Sequence, residues 1–305
     1  MSSDLLAGVS VLAFGTVGPA ARASAILADY GATITKVGAV PRAGAVTITP
    51  PAFAYSGGRG TRRVQLDLKA DKGRAAAQAL AAASDVVIES FRPGVADRLG
   101  IGWNELSTQN PRLVYCSTSG YGQNGPASQR AGHDLNYLAV GGFLDCSGRR
   151  DDGGPALPGA TVADIAAGGM QAAMAIMAAL IGRGNTGEGR YLDVSIVDGV
   201  VAMMSLYVDE YLVTGTEPGP GHNVLTGRYA WYGIYRCADD GWISVGAIEP
   251  RFYANLLREL DLDSERFGSA QYEDEAQDDL RAAMTKVFAT RSRGDWAGQL
   301  GDADC

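Results

Sequence analysis

The chain has 305 residues, 46% of them hydrophobic and 20% charged, and a formal net charge of −8. That length calls for about two domains, the composition is that of a soluble globular protein, and the acidic balance argues against general nucleic-acid or membrane-surface binding. The cysteines at 116, 146, 237 and 305 form no C-x-x-C pair and only two histidines are present, so no metal site and a reduced, cytoplasmic setting are expected.

The apolar run LLAGVSVLAF (5–14) follows Asp4 rather than a basic residue, which makes it a buried first strand and not a secretion signal. Gly15, Gly18 and Pro19 turn the chain into a helix over 19–30, Gly31 ends it, and β-branched ATITKV (32–37) supplies a second strand. A βαβ unit of this kind implies a parallel sheet. GTVGPA lacks the third glycine of a dinucleotide fingerprint, so no NAD site is expected. Residues 38–62 form a long loop closing on a basic cluster, Arg59, Arg62 and Arg63. Strands are expected at 64–68, 85–90 and 111–120, with an Ala-rich helix over 68–84. Ligands of open parallel sheets bind beyond the carboxyl ends of the strands, which makes Arg92 and Arg98, just after the 85–90 strand, candidate anion binders.

The stretch 131–164 carries the sharpest chemistry. His133 sits between Gly132 and Asp134 in a turn-rich segment, and Asp164 lies just inside a long apolar helix spanning 160–182. A loop histidine is often structural, and an Asp in a first helical turn is often only a cap. Together they are two groups that can each carry a proton. The apolar stretch 170–181 is too short to span a bilayer, so no membrane partner is expected. A short strand and a helix follow in 191–213, with Val200, Met203, Met204 and Tyr207 at core-facing spacing. TGTEPGPGHNVLTG (214–227) is a linker, 231–237 and 241–247 form an antiparallel hairpin, and a helix opens at Pro250. The expected division is a large domain over 1–192, helix and linker over 193–227, and a small α+β domain over 228–305.

Several segments carry a resemblance: LDLK (66–69), ESFRPGVADRLGIG (89–102), NPRLVYCSTSGYGQNGP (110–126), GHDLNY (132–137), GEGRYLDVSIVDG (187–199) and GWISVGAIEPRFY (241–253). Over nearly its whole length the chain resembles the α-methylacyl-CoA racemase branch of the family III CoA-transferases. The resemblance implies an α/β fold, with a parallel-sheet, Rossmann-like large domain and a smaller α+β domain. It implies His133 and Asp164 as the acid/base pair, with Glu249 supporting the histidine. It also implies a CoA site made of Leu66, Asp67, Leu68, Lys69, Ser90, Phe91, Arg92, Arg98, Gly132, Asp134, Leu135, Asn136 and Tyr137. CoA is then part of an acyl-CoA thioester substrate, with no separate cofactor, and the protein is an interlocked homodimer. Two departures stand out. The family's CoA-binding Arg after the second strand is absent, with Lys36 and Ala39 there instead, and Arg42 or the 59–63 cluster is the expected substitute. Family members also run on beyond the point where this chain ends in ADC (303–305), so a C-terminal return segment is expected to be missing.

Two further readings follow from the same residues. In a family III CoA-transferase, Asp164 is the nucleophile of an aspartyl-CoA thioester and His133 is not needed. In a CoA-binding protein without catalysis, neither group reacts. For the racemase, inverting the α-carbon needs a base on one face and an acid on the other. Asp164 suits that role only if burial raises its pKa, against the helix N-terminus that works to lower it.

Overall fold

The computed structural model describes residues 4–15, 17–40, 58 and 60–305; Arg42, Arg59 and most of the long basic loop lie outside them. The chain forms two compact units, Met1–Leu144 with Leu157–Asp209, and Asp145–Ala156 with Glu210–Cys305. The boundary expected after 192 falls inside a strand of the first unit's sheet. Residues 145–156, assigned from sequence to the large domain, group with the second unit.

The first unit is a mixed α/β fold around a six-stranded parallel sheet. Its elements in order are β1 (Ser10–Phe14), α1 (Gly18–Asp29), β2 (Thr33–Gly38), β3 (Thr61–Gln65), α2 (Asp71–Ala82), β4 (Val86–Glu89), α3 (Val95–Arg98), α4 (Trp103–Gln109), β5 (Val114–Ser119), α5 (Asp134–Val140) and α6 (Phe143–Cys146). A π-wound segment (Ala163–Met170) then runs directly into α7 (Gln171–Thr186), followed by β6 (Arg190–Ser195), α8 (Ile196–Met203) and α9 (Ser205–Thr214), whose residues from Glu210 on group with the second unit. The strand order is β3-β2-β1-β4-β5-β6. Successive strand residues face opposite sides, and both sides are buried. Val11, Ile34, Ile88 and Val114 pack with α1 and α7 on one side, while Leu12, Val37, Val87 and Tyr115 pack with α2 and α4 on the other. Each such aliphatic side chain contributes about 1.5–3 kcal/mol on burial, which is why these strands read as continuous apolar runs.

Three sequence expectations are corrected here. The first strand starts at Ser10, because residues 4–8 are in turns and Leu5 is exposed. The strand expected over 64–68 is Thr61–Gln65 instead: it is an edge strand, paired only with β2, and an edge tolerates the charges of Arg62 and Arg63. The apolar stretch at 170–181 belongs to a 24-residue helical run, Ala163–Thr186, long and apolar enough by length and composition to cross a membrane. Its Ala172, Ala173 and Ile176 are instead buried in the sheet's core.

One ion pair ties the amino-terminal ends of the central strands. Asp85 Oδ2 accepts the Ser10 N–H and Ser10 Oγ–H, both at 2.9 Å, and Oδ1 accepts from Arg183 at 2.9 Å. Burial works to raise the Asp85 pKa but is outweighed by the two Ser10 donors and by Arg183, so the carboxyl titrates below its ordinary value of 3.8. A depressed carboxyl adds stability that is present above the unfolded pKa and is lost as pH falls through the folded one. Asp85→Asn is therefore expected to lose about 1–2 kcal/mol at pH 7, with the deficit shrinking below about pH 4. Urea midpoints measured at pH 7 and pH 3.5 would check it; an undiminished deficit at the lower pH would refute the account.

The second unit contains a two-stranded antiparallel hairpin, β7 (Tyr232–Arg236) and β8 (Trp242–Gly246), with α10 (Pro250–Glu259), α11 (Ser264–Phe267), α12 (Asp274–Phe288) and α13 (Arg293–Leu300). Its core gathers Trp231, Tyr235, Tyr253, Leu256, Leu257, Phe288 and Trp296. Pro250 occupies the first turn of α10, where its missing N–H costs nothing.

Candidate active site

The strand order reverses between β1 and β4, and a crevice opens beyond the carboxyl ends of strands at such a point. Here the loops after the two strands touch: a Cβ on Gly15 would stand 2.8 Å from Ser90 Oγ and 3.1 Å from the Ala20 side chain. Gly15 is therefore a spacing requirement.

His133 ends its glycine-flanked loop as the N-cap of α5. Its N–H donates to Asn136 Oδ1 at 3.0 Å, half of a capping box. Tyr137 fixes the approach to the helix: its hydroxyl donates to Gly132 O at 2.6 Å, and a Cβ on Gly120 or Gly132 would stand 2.3 or 2.6 Å from its ring. Asp164 lies in the first turn of the π-wound segment. This segment fits tightly between helices because its residues are small. A Cβ on Gly168 would meet Pro19 at 2.6 Å, and one on Gly199 of α8 would meet the Ala167 carbonyl at 2.2 Å. π-Winding is uncommon and concentrates at functional sites.

The two elements are joined directly. Asp134, next to His133, accepts the Asp164 N–H on Oδ1 at 2.8 Å. Burial, and then the Asp134 carboxylate, push the Asp164 carboxyl above its ordinary range, while the His133 and Arg22 charges pull it partway back. Burial, the influence expected from sequence to oppose the helix terminus, is the largest cause of this rise. Burial also raises the Tyr137 phenol to about 12, helped by Asp164 and Tyr121 and opposed by the Arg92 charge. His133, Asp134, Tyr137, Asp164 and Arg92 therefore share one electrostatic neighbourhood.

The remaining expected residues distribute as follows. Leu135 and Asn136 stand exposed on the first turn of α5. Phe91 packs against the core on the α2 side, as do Leu66 and Leu68. Asp67 Oδ1 accepts the Lys69 N–H at 3.1 Å, leaving Lys69 exposed ahead of α2. The Arg98 guanidinium folds back towards Gly94. Lys36 is buried at 6% exposure and pairs in register with Arg63; burial and then the Arg63 charge lower its ammonium pKa. Glu249 belongs to the second unit, exposed at the N-cap of α10. Among the described residues no cluster of His, Cys, Asp and Glu suited to a metal ion is found.

One group escaped the sequence reading. Glu89, the last residue of β4, is only 3% exposed. Burial raises its carboxyl to about 7, with the nearby Asp97 and Asp193 adding to the rise and hydrogen bonds from Ser117 and Phe91 opposing it. The available signal was an acid closing an otherwise apolar strand, VVIE.

Comparison with known proteins gives a consistent result. The sequence model described as CoA-transferase family III matches residues 6–305. The chain is 35% identical over 294 residues to the α-methylacyl-CoA racemase of Homo sapiens, covering 95% of this chain and 74% of the relative. It is 34% identical over 265 residues to the succinyl-CoA:glutarate CoA-transferase of Homo sapiens, covering 84% of this chain and 59% of that protein. Among solved structures, a CAIB/BAIF family protein from Brucella suis superposes with a TM-score of 0.81 at 27% identity, over 97% of this chain and 81% of the other.

Proposed function

The chain belongs to the family III CoA-transferases, and from that premise we propose that it racemises or epimerises C2 of 2-methylacyl-CoA thioesters through an enolate. One group removes the α-proton, the C–H electron pair passes into the thioester as the enolate, and the second group returns a proton to the opposite face. The observation that carries this reading is the Asp134 bridge, which sets His133 and Asp164 at the ends of two adjoining helical segments, with the Asp164 carboxyl raised towards the range useful for proton transfer. At the start of α5 the His133 N–H is held by Asn136, and the Asn136 and Tyr137 amides by the His133 carbonyl. The Asp134 and Leu135 amides are then the donors for the enolate oxygen. Arg92, Arg98 and Lys69 take the CoA phosphates, with the Arg62–Arg63 end of the basic cluster in place of the family Arg. CoA is carried on the substrate and no separate cofactor is needed.

The exposed apolar side chains of the helical run and α8, among them Met170, Met174, Ile181, Val201 and Met203, fit burial against a second copy of the chain. In such a homodimer, Glu249 of the partner subunit would support His133. A second reading, CoA transfer with Asp164 as nucleophile, is favoured by the transferase relatives and needs no His133. Incubation with (R)- and (S)-2-methylacyl-CoA in D2O, with and without an added free acid, separates the two. Deuterium entering C2 from both enantiomers is the expected result. CoA passed to the acid, with no exchange, would replace the racemase by the transferase.

A further inference from the structure

The segment after β4 has a feature that neither proton transfer nor phosphate contact uses. Glu89 Oε2 accepts the Phe91 N–H at 2.7 Å, closing the turn immediately behind Ser90. Its carboxyl also takes a hydrogen bond from Ser117, and Ser117 Oγ accepts in turn from the Tyr191 hydroxyl at 3.2 Å. The Glu89 carbonyl is held by Thr118 Oγ1 at 3.2 Å. At the far end of the turn, the Val95 N–H donates to Arg92 O at 3.1 Å, and Gly94 takes a φ of +78° to enter α3. Arg92 thus projects from a seven-residue arc, Glu89–Val95, whose near end is fastened by one carboxyl.

One side of this arc faces space. A cavity of about 190 Å³ is lined by Glu89, Arg92, Gly94, Asp97, Trp103 and Tyr191 among others, while Phe91 packs against the core, so the Arg92 end of the turn is not backed by filled core. Nor is a carboxyl in this position a choice made for stability. Asp97 from α3 and Asp193 from β6 raise the cost of its charge, Tyr115 of β5 and Tyr191 of β6 face it, and Arg92 is the cation lining the same cavity. A buried acid among acids, hydrogen-bonded to the backbone of a ligand-facing turn, breaks a local rule where function is the compensating gain.

We propose that Glu89 is a positioning residue for CoA: its carboxyl holds the Ser90–Gly94 turn over the cavity and so presents Arg92 to the anionic end of the ligand. This rests on the reading that the turn binds CoA. Without the acceptor, the Phe91 N–H is released, the backbone from Ser90 to Gly94 loosens beside the cavity and the arginine loses its aim.

The test uses Glu89→Met, which keeps the length and burial but removes the acceptor and the charge, and Glu89→Gln, which keeps the acceptor. Free CoA binding is measured by calorimetry, and amide exchange is followed at Phe91. Glu89→Met is expected to weaken CoA about tenfold, the scale of one hydrogen-bonded contact, and to speed Phe91 exchange at least as much. In turnover, the loss should fall on KM rather than kcat. Glu89→Gln is expected to restore most of the affinity and the protection. The proposal is overturned if Glu89→Met binds CoA and protects Phe91 like the parent, or if Glu89→Gln is as impaired as Glu89→Met. A parent protein that takes up no CoA would overturn the functional reading and this proposal together, whereas normal CoA binding in all three proteins overturns the proposal alone.

Discussion

Asp164→Asn is expected to lower racemisation of 2-methylacyl-CoA about 10³-fold, within the 10²–10⁴ range of a single general acid or base, and His133→Gln to do the same. The diagnostic is how the residual exchange divides. In a two-base mechanism each group serves one face of the α-carbon. Asp164→Asn should therefore still exchange the α-proton of the enantiomer that presents it to His133, returning deuterium without inversion. His133→Gln should show the mirror preference. The pH dependence follows from the geometry. Burial and Asp134 raise the Asp164 carboxyl, so the rate in the direction that uses Asp164 as base rises with pH through a value above the ordinary carboxylate range, and Asp164→Asn removes that limb. Loss of CoA transfer to a free acid in Asp164→Asn, with full retention in His133→Gln, would instead make Asp164 a nucleophile and leave His133 a cap.

Much of this arrangement is legible in the chain because the signals are local. A continuous apolar run, a β-branched run and the glycines around the helix between them mark β1, α1 and β2; Ala-Asp-Asp between two aromatic strands marks the β7–β8 hairpin; and Pro250 marks the start of α10. What escaped depends on partners distant in sequence or on signals too weak to read locally. β3 is displaced towards its arginines because the sheet edge, not its own composition, decides where pairing stops. Met203, at core spacing with Val200 and Met204, is exposed, because the chain breaks into α8 and α9 and changes the face it presents. The π-winding around Asp164 is invisible in a run of Ala, Gly and Ile, where a period of 3.6 and a longer one bury the same small side chains. The Asp134–Asp164 bridge spans thirty residues of chain and has no local signature. Glu89 was hidden by its strand: a terminal acid usually points to solvent, and only its place between β1 and β5 in the middle of the sheet closes it in.

That enclosure gives a second large effect, on stability. The Glu89 carboxyl moves from 4.5 to about 7 on folding. A raised carboxyl stabilises the folded state fully below the unfolded pKa and loses that contribution as pH climbs through the folded one. Each tenfold change in acidity is worth about 1.4 kcal/mol, so the span from 4.5 to about 7 amounts to about 3 kcal/mol. Glu89→Gln stays neutral throughout and keeps the acceptor for Phe91. Relative to the parent it should therefore gain about 3 kcal/mol between pH 4.5 and pH 8, most of it before pH 7. Urea unfolding of the first unit at pH 5, 6, 7 and 8, followed by the fluorescence of Trp103, would trace the gap, with the second unit's tryptophans replaced by phenylalanine. A gap that stays flat, or one that opens in the parent's favour, would show that Glu89 is solvated rather than enclosed. Set beside Glu89→Met, the same curve separates two roles of one side chain. The charge costs stability above neutrality in the parent alone. The hydrogen bond to Phe91 is kept by glutamine and lost with methionine at every pH, so a defect in CoA binding that follows methionine and spares glutamine belongs to the hydrogen bond.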